Sequence, residues 1–139
     1  MQTQNFQQPE AVNNHLGEIE AWLECDQHYS AVECPINEVL SLISHKWMVQ
    51  IIYYLHKQEV VRFGQLHRLV TPITQKELTK RLRELEKAGL LNRTIYAEVP
   101  PRVEYHLTEL GKTLIQPIAT LSAWAEQNYH VLKSQQQHD

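Results

Sequence analysis

The sequence predicts a mostly α-helical (α+β) domain that contains one β-hairpin. Apolar residues recur at helical spacing through most of the 139 residues. One segment carries strong start and stop signals for a helix, and two short alternating segments that flank a pair of prolines follow it. A chain of this length can bury a core without disulfides or a structural metal, and we expect a single domain.

The first predicted element is an amphipathic helix between Glu10 and Gln27. Its apolar residues recur at spacings of four, three and four and form one stripe: Val12, Leu16, Ile19 and Leu23. A single stripe cannot bury itself. We therefore expect this helix to pack on the body of the protein or on a second subunit.

The next elements lead toward the middle of the chain. Pro35 fits the first position of a second helix. The segment Trp47–Leu55 is apolar on nearly every side and predicts a buried central helix. Val60–Phe63 predicts a short strand, and Gly64–Val70 predicts a short helix.

The helix Thr74–Ala88 has the clearest boundaries. Thr74 and Glu77 have the spacing of a capping box, in which each side chain satisfies a free backbone N–H at the helix start. Ile73 and Leu78 can form the accompanying hydrophobic staple. Gly89 is placed to end the helix in a left-handed conformation.

A β-hairpin and a long helix complete the chain. Asn92–Ala97 and Val103–Leu107 predict two strands, because β-branched and aromatic residues alternate in them and two prolines enforce a loop between them. The final helix starts near Thr108, and Pro117 should kink it. This order is that of a winged helix-turn-helix, and we expect the N- and C-terminal helices to serve as dimerisation helices. We expect an acidic extension at 1–33, a DNA-binding core at 34–107, and a dimerisation helix with a polar tail at 108–139.

Charge is segregated along the chain, although the net charge is only −3. Residues 1–40 carry seven acidic residues and no Lys or Arg, whereas residues 41–112 carry twelve Lys or Arg and seven acidic residues. The net charges of residues 1–40, 41–112 and 113–139 are therefore −7, +5 and −1. This predicts an acidic arm and a basic working surface.

The capped helix concentrates that positive charge on one face. Leu78, Leu82 and Leu85 fall on the core side at 100° per residue. A second stripe consists of cations: Lys76, Lys80, Arg83 and Lys87. Like charges at this spacing repel one another, and a polyanion would relieve the repulsion. An ordinary solvated face is the alternative interpretation, and the hairpin that follows favours double-stranded DNA as the partner.

The candidate DNA-binding residues lie mainly on this helix and the hairpin. The N-terminal end of a recognition helix faces the major groove, where Gln suits adenine and Arg or Lys suits guanine. Arg102 at the hairpin can reach a neighbouring groove or phosphate, and Arg68 and Arg93 can add backbone contacts. The predicted DNA-binding residues are Thr74, Gln75, Lys76, Thr79, Lys80, Arg83, Arg102, Lys46 and Arg62.

Several motifs in this order resemble the HxlR family of bacterial transcriptional regulators, which are MarR-like winged-helix proteins. They are Cys34-Pro35, His45-Lys46-Trp47, Thr74-Gln75-Lys76, Leu82-Arg83-Glu84-Leu85-Glu86, Val99-Pro100-Pro101-Arg102-Val103-Glu104-Tyr105 and Leu107-Thr108-Glu109-Leu110-Gly111. The resemblance covers about residues 34–130. It implies a homodimer that binds an inverted-repeat operator, and we expect this regulator to be a repressor. It places Thr74, Gln75, Lys76, Thr79 and Arg83 on the recognition helix and Arg102 on the wing.

The chain departs from the family pattern in two places. Ser44-His45 stands where the family usually has two glycines before Lys-Trp. The acidic helix before Cys34 is longer than in most members. We expect that helix to add to the dimer interface or to pack over an effector region.

Cys34 is the candidate redox-sensing residue. It lies just before Pro35 at a predicted helix start, where the helix dipole favours a thiolate, although Glu33 and Glu38 oppose it. The resemblance implies sensing of electrophiles, quinones or oxidants, and simple packing of a small buried cysteine is the alternative. Two disulfides stay open, one between Cys25 and Cys34 and one between subunits. Cys25, His28 and Cys34 lack the second ligand pair of a zinc site, so we expect no metal and no cofactor.

The remaining observations bear on the class of protein. No phosphate-binding loop, zinc-protease motif or nucleophile elbow occurs in the sequence, so we do not expect an enzyme. No apolar run or leader pattern predicts membrane insertion or secretion, and two cysteines suit the cytoplasm. Two alternatives remain: a regulator that binds a small aromatic effector near Trp22, Trp47 and Trp124 without thiol chemistry, and a winged-helix protein-interaction module.

Overall fold

The structure is a computed structural model that describes residues 10–24, 30 and 33–137. The chain forms two compact units, Met1–Ser41 and Leu42–Asp139. The elements in chain order are α1 (Glu10–Leu23), α2 (Pro35–Ile43), α3 (Met48–Gln58), β1 (Val61–Arg62), α4 (Phe63–Leu69), α5 (Gln75–Lys87), β2 (Leu91–Tyr96), β3 (Arg102–Leu107), α6 (Glu109–Thr113) and α7 (Ile115–Gln136). A mostly helical winged helix-turn-helix is therefore confirmed.

The first unit consists of α1 and most of α2. Helix α1 exposes large apolar side chains at its C-terminal end, with Trp22 and Leu23 each about two-thirds exposed (66% and 65%). Pro35 begins α2, as the sequence predicts. The carbonyl of Cys34 accepts hydrogen bonds from the N–H groups of Asn37 (2.9 Å) and Glu38 (3.4 Å), so Cys34 stands at the N-cap of this helix.

Helix α3 anchors the second unit. Its buried residues recur at spacings of three, one and three, and they are Met48, Ile51, Ile52 and Leu55. The predicted buried central helix is buried on one face only, because Val49 and Tyr53 are 39% and 52% exposed. The apolar residues of α3 thus serve two faces. One face fills the core, and the other borders a groove beside α7.

The sheet has three antiparallel strands in the order β1-β3-β2. Leu91 pairs with Leu107 and Tyr96 with Arg102 along the hairpin. The short strand β1 adds to the other edge of β3, where Val61 pairs with Tyr105. The sequence predicts both the hairpin and β1. It does not show that β1 joins the hairpin, because that pairing connects residues more than forty positions apart.

The chain after the wing forms two helices instead of one kinked helix. A turn at Leu114 separates α6 from α7, and Pro117 lies in the first turn of α7. A proline ring clashes with the carbonyl four residues back, here that of Thr113, which is the last residue of α6. Helix α7 continues through Gln136. The predicted polar tail is therefore helical over residues 134–136.

Candidate nucleic-acid interface

Helix α5 begins at the predicted cap. The Thr74 hydroxyl accepts a hydrogen bond from the Glu77 N–H at 3.1 Å. The reciprocal half of the capping box is not formed, because the Glu77 carboxylate bonds Arg81 Nε at 3.0 Å and lies 3.3 Å from His45 Nε2. Ile73 and Leu78, the predicted staple pair, are both buried. One side-chain cap and a buried apolar pair thus define the start of α5.

The end of α5 is a Schellman motif, which satisfies two of the last carbonyls of the helix. The Leu90 N–H bonds the Leu85 carbonyl and the Gly89 N–H bonds the Glu86 carbonyl, both at 3.0 Å. Gly89 has a φ of 78°, the left-handed conformation that the sequence predicts for it. Leu85 and Leu90 are buried and complete the apolar contact of the motif. Helix α5 therefore has a defined length of thirteen residues.

The inner face of α5 contains a buried cation that sequence reasoning did not single out. Leu78, Leu82 and Leu85 pack in the core as predicted. Arg81 is buried as well (7% exposed) and bonds Glu77 and Glu84 at 3.0 and 2.8 Å. Two acidic residues at i−4 and i+3 are the signal for this pairing. The pairs neutralise Arg81 and remove it from the cations available to a ligand.

The outer face of α5 keeps its four cations exposed. None of the four forms a salt bridge with any residue that the structure describes: Lys76, Lys80, Arg83 and Lys87. They line a groove of 630 Å³ together with Phe63, Gln75, Thr79 and Glu84, and this Glu84 is paired with Arg81. We call these four residues the cation stripe. Charged groups that no acidic residue neutralises attract a polyanion most strongly.

The small polar residues near the start of α5 differ in their freedom to bind. Gln75 is exposed and has its side-chain amide available for a base edge. Thr79 is half-buried, and its hydroxyl donates to the Gln75 carbonyl at 2.8 Å. The Thr79 oxygen can still accept a hydrogen bond from outside. Thr74 is occupied as the helix cap.

Arg102 is part of the internal structure of the wing. Its guanidinium lies 3.3 Å from carboxylate oxygens of both Glu98 and Glu104, and it stacks 4.1 Å above the Tyr96 ring. Its Nε is buried and does not reach hydrogen-bond geometry with Glu104. The sequence places Arg102 at the hairpin, but the ion pairs that neutralise it form only when the two strands come together.

A second groove separates the wing loop from the start of α4. It has a volume of 640 Å³ and is lined by Arg62, Arg68 and Gln65 on one side and by the loop from Glu98 to Val103 on the other. Both Arg62 and Arg68 are exposed and form no salt bridge with a described residue. Two cations opposite the wing loop give this groove the charge that a nucleic-acid backbone needs.

Two other predicted cations are partly engaged. Lys46 is exposed, and its ammonium lies 4.8 Å from the centre of the Trp47 ring. Arg93 lies 3.7 Å from Glu86 across a weak surface pair. The same neighbourhood affects Tyr105: burial raises the pKa of its hydroxyl above the ordinary value of 10.0, Arg93 and Arg83 lower it, and Glu86 raises it.

Cys34 belongs to the first unit, and it precedes in the sequence all the residues that line these grooves. It is half-buried and carries a free thiol. Cys25 and His28, which the disulfide and zinc hypotheses require, lie outside the described residues. Across the described part of the chain, no group of three His, Cys, Asp or Glu side chains could hold a metal ion.

The tryptophans that the sequence suggests for an effector pocket do not line the groove between α3 and α7. Helices α3 and α7 share a groove of 370 Å³ lined by Val49, Ile52, Tyr53, Ile115 and Ile118, with His56, Ser122 and Glu126 at polar positions. No tryptophan lines this groove. Trp22 and Trp124 are 66% and 53% exposed.

None of the described helices is long and apolar enough to cross a lipid bilayer.

The chain is similar to known transcriptional regulators over most of its length. It is 44% identical over 101 residues to an HTH-type transcriptional regulator of Methanothermobacter thermautotrophicus, and the aligned residues cover 73% of each protein. It is 40% identical to the redox regulator HypR in its reduced form, with a TM-score of 0.66 over 72% of this chain and 98% of HypR. It is 35% identical to diamide-treated YodB of Bacillus subtilis, with a TM-score of 0.60 over 68% of this chain and 93% of YodB.

A family model agrees with these similarities. The model for the HxlR-like helix-turn-helix matches residues 42–133, which include α5, the hairpin and most of α7. The matched span contains both grooves and the cation stripe. The chain therefore belongs to the HxlR-like helix-turn-helix family of transcriptional regulators.

Proposed function

We propose that this HTH transcriptional regulator is a homodimeric repressor that binds an inverted-repeat operator by inserting α5 into the major groove. The observation that carries the proposal is the cation stripe. Four of the basic residues on α5 lie on its exposed face with no acidic partner among the described residues, whereas the fifth, Arg81, is buried and paired. Binding of DNA would place the protein in the cytoplasm, and it requires no catalytic chemistry, cofactor or metal.

The two grooves support separate assignments for residues that contact base edges and residues that contact phosphates. Gln75, Lys76 and Thr79 at the start of α5 are assigned to base edges, together with Lys80 and Arg83 further along. Arg62, Arg68 and Lys46 are assigned to phosphates, where a charge without fixed hydrogen-bond geometry is sufficient. Arg102 is assigned to bracing of the wing, with contact to DNA through the loop that it holds.

Exposed apolar side chains on the long C-terminal helix support a dimer. They recur at helical spacing along one side of α7: Leu121, Trp124, Val131 and Leu132, each between 44% and 59% exposed. Large apolar residues in one contiguous stripe mark a protein interface more often than a free surface. A second copy would bury the stripe and present two recognition helices to successive major grooves, about 34–36 Å apart.

Selection of bound sites from random DNA tests this proposal. We expect an inverted repeat whose half-sites are about 10–10.5 base pairs apart from centre to centre. Affinity should fall linearly on a log–log plot against salt, with a slope of about −0.9 for each phosphate contacted. No binding even at low salt would contradict the proposal and favour a protein-interaction module.

Single variants assign roles to the cation stripe. Lys80→Ala or Arg83→Ala should weaken operator binding by about 1–3 kcal/mol and change the preferred sequence if the residue reads a base. An equal loss on every sequence with a smaller salt slope would assign it to a phosphate instead. Lys133→Ala on α7 is the matched control, because it also removes one exposed positive charge but lies outside both grooves.

We also propose that oxidants or electrophiles release the protein from DNA by reacting with Cys34. The observation that favours this second candidate is the similarity to HypR and YodB, of which HypR is a redox regulator and YodB has been treated with diamide. Cys34 fits as the reacting residue because it is a half-buried free thiol at the N-cap of α2. A helix N-terminus favours the thiolate, which is the reactive form.

Operator binding in the presence of diamide tests the thiol proposal. Diamide takes two electrons and two protons from a pair of thiols and leaves a disulfide. It should release DNA from the unmodified chain and from Cys25→Ser, in which the pair is Cys34 and Cys34 of the partner subunit, and should leave Cys34→Ser bound. Release of the Cys34→Ser variant by diamide would overturn the assignment of Cys34. Release by a small aromatic compound without any thiol dependence would support the alternative of a ligand-responsive regulator.

A further inference from the structure

We infer that His45 is a positioning residue that holds the first turn of α5 in its DNA-reading orientation. This inference rests on the proposed function, since it concerns the same recognition helix. His45 lies in the turn between α2 and α3, and its Nε2 is 3.3 Å from Oε1 of Glu77. Glu77 is the third residue of α5 and stands between Lys76 and Leu78.

The contact joins a fixed point of the core to the recognition helix. The His45 carbonyl accepts a hydrogen bond from the Met48 N–H at 3.0 Å, which closes the turn into α3. Met48 is fully buried, so the position of this turn is set by core packing. The imidazole then reaches across to α5. A movement of the first turn of α5 would have to break this contact.

Glu77 is a firm attachment point because it is itself held. Arg81 Nε donates to Glu77 Oε1 at 3.0 Å, and a second nitrogen of Arg81 donates to Glu84 at 2.8 Å. The Arg81 side chain is only 9% exposed, so charge-assisted bonds hold its guanidinium between the two carboxylates. A single guanidinium does not exhaust the acceptor capacity of the Glu77 carboxylate, and His45 Nε2 lies 3.3 Å from its Oε1.

The two ring nitrogens of His45 have different surroundings. Nδ1 is buried and has no hydrogen-bond partner among the described residues. Nε2 lies at the more open side of the ring, at ion-pair distance (3.3 Å) from the Glu77 carboxylate. The contact with α5 is therefore made through Nε2 alone.

The consequence lies at the base-reading end of α5. Gln75, Lys76 and Thr79 flank Glu77 and share its helical turn. A recognition helix discriminates bases through hydrogen bonds whose geometry tolerates little displacement. A tether at Glu77 therefore sharpens sequence discrimination without adding a contact to DNA.

Binding of the selected operator by position-45 variants tests the inference. His45→Ala should raise the dissociation constant by about three- to fivefold, the range of a partly exposed ion pair. Binding to non-operator DNA and the salt slope should not change, because no phosphate contact is lost. His45→Gln should restore most of the affinity, since its side-chain amide can donate from near the Nε2 position. His56→Ala, an exposed histidine on α3, is the matched control.

A double-mutant comparison and an exchange measurement complete the test. In a Glu77→Ala background, His45→Ala should have no further effect, because the partner is already absent. Without DNA, His45→Ala should speed amide hydrogen exchange at Glu77 and Leu78, whose N–H groups bond the Thr74 hydroxyl and carbonyl.

The outcomes separate the inference from the function on which it rests. Unchanged affinity for the operator together with unchanged exchange would overturn the role of His45. A salt slope reduced by about 0.9 would also overturn it, since that result indicates a direct phosphate contact. If the unmodified chain binds no DNA, the proposed function fails, and the exchange measurement alone decides whether His45 holds α5.

Discussion

Gly111 shows how closely single residues are constrained where the wing meets the C-terminal helices. A Cβ at this position would overlap the carbonyl oxygen of Leu90 and lie 3.3 Å from Cδ2 of Leu107. The Leu90 carbonyl cannot easily move, because it accepts a hydrogen bond from the Thr108 N–H at 3.1 Å. Thr108 also caps α6 through a bond from the Gly111 N–H. Only glycine fits between these groups.

Gly111→Ala should therefore destabilise the fold. We expect the free energy of unfolding to fall by about 1–3 kcal/mol, the usual cost of overpacking a tight site. Urea denaturation measures the change. Gly17→Ala in α1 is the matched control, because nothing lies within 4 Å of its added Cβ and alanine favours a helix. Equal changes in the free energy of unfolding for the two substitutions would show that the contact with Leu90 does not cause the destabilisation.

Tyr105 predicts how stability depends on alkaline pH. Burial raises the pKa of its hydroxyl in the folded protein above the ordinary value of 10.0. At a pH between the pKa of the unfolded chain and the higher pKa of the folded chain, Tyr105 has lost its proton in the unfolded chain and retains it in the folded chain. The contribution of Tyr105 to the free energy of unfolding should therefore be fully present below pH 10 and should decline as the pH rises above 10.

Denaturation at pH 8 and at pH 10.5 measures this decline. Tyr105→Phe should reduce it, because the variant lacks the buried hydroxyl. Tyr53→Phe changes an exposed ring and should leave the decline intact. A decline that is identical in all three proteins would assign it to other groups.

At the scale of elements, the wing is stabilised by its own charges. Arg102 begins β3 and joins Glu98, Glu104 and the Tyr96 ring, so one side chain ties the loop to both strands. The loop itself exposes Val99 completely. Arg102 therefore stabilises the wing through its ion pairs. The exposed cations of the neighbouring groove are Arg68 of α4 and Arg62, the residue before α4.

Arg102→Ala should loosen the wing without unfolding the domain. We expect local stability to fall by about 1 kcal/mol, since the site is partly exposed and combines ion pairs with a cation–π contact. Amide exchange near Tyr96 and Arg102 reports the change. Lys112→Ala removes a comparable but more exposed pair with Glu109 and should leave the wing unaffected. An unchanged exchange rate in the wing would contradict the bracing role.

At the scale of the whole molecule, the exposed apolar stripe of α7 bears on the proposed dimer. Leu121 and Trp124 are 56% and 53% exposed in the single chain. An isolated helix face of this kind is costly in water and is normally covered by another subunit. An inverted-repeat operator needs the same two-fold symmetry.

The double variant Leu121→Glu, Trp124→Glu should be monomeric. Light scattering after size-exclusion chromatography measures the mass, and operator affinity should fall because one recognition helix contacts only one half-site. Val99→Glu places a charge on the fully exposed wing loop and should remain dimeric. A dimer that survives both charges on α7 would place the interface elsewhere.

Much of the fold could be predicted because its signals are local. The cap at Thr74, the left-handed Gly89 and the prolines of the wing loop each act within a few residues. The break before α7 was harder to place, since Pro117 acts on a carbonyl four residues away. Periodicity overestimated the burial of α3, because apolar residues at Val49 and Tyr53 serve a second face.

The sequence by itself determined the order of elements, the family and the face of α5 that carries the cation stripe, because helical periodicity and capping depend on neighbours in the chain. Only the tertiary structure decided which cations are available. Arg81 and Arg102 are neutralised by carboxylates, whereas the cation stripe has no acidic partner among the described residues. It also brought His45 to Glu77 across thirty-two residues of chain. Pairing of charges depends on distance in space, which no linear pattern contains.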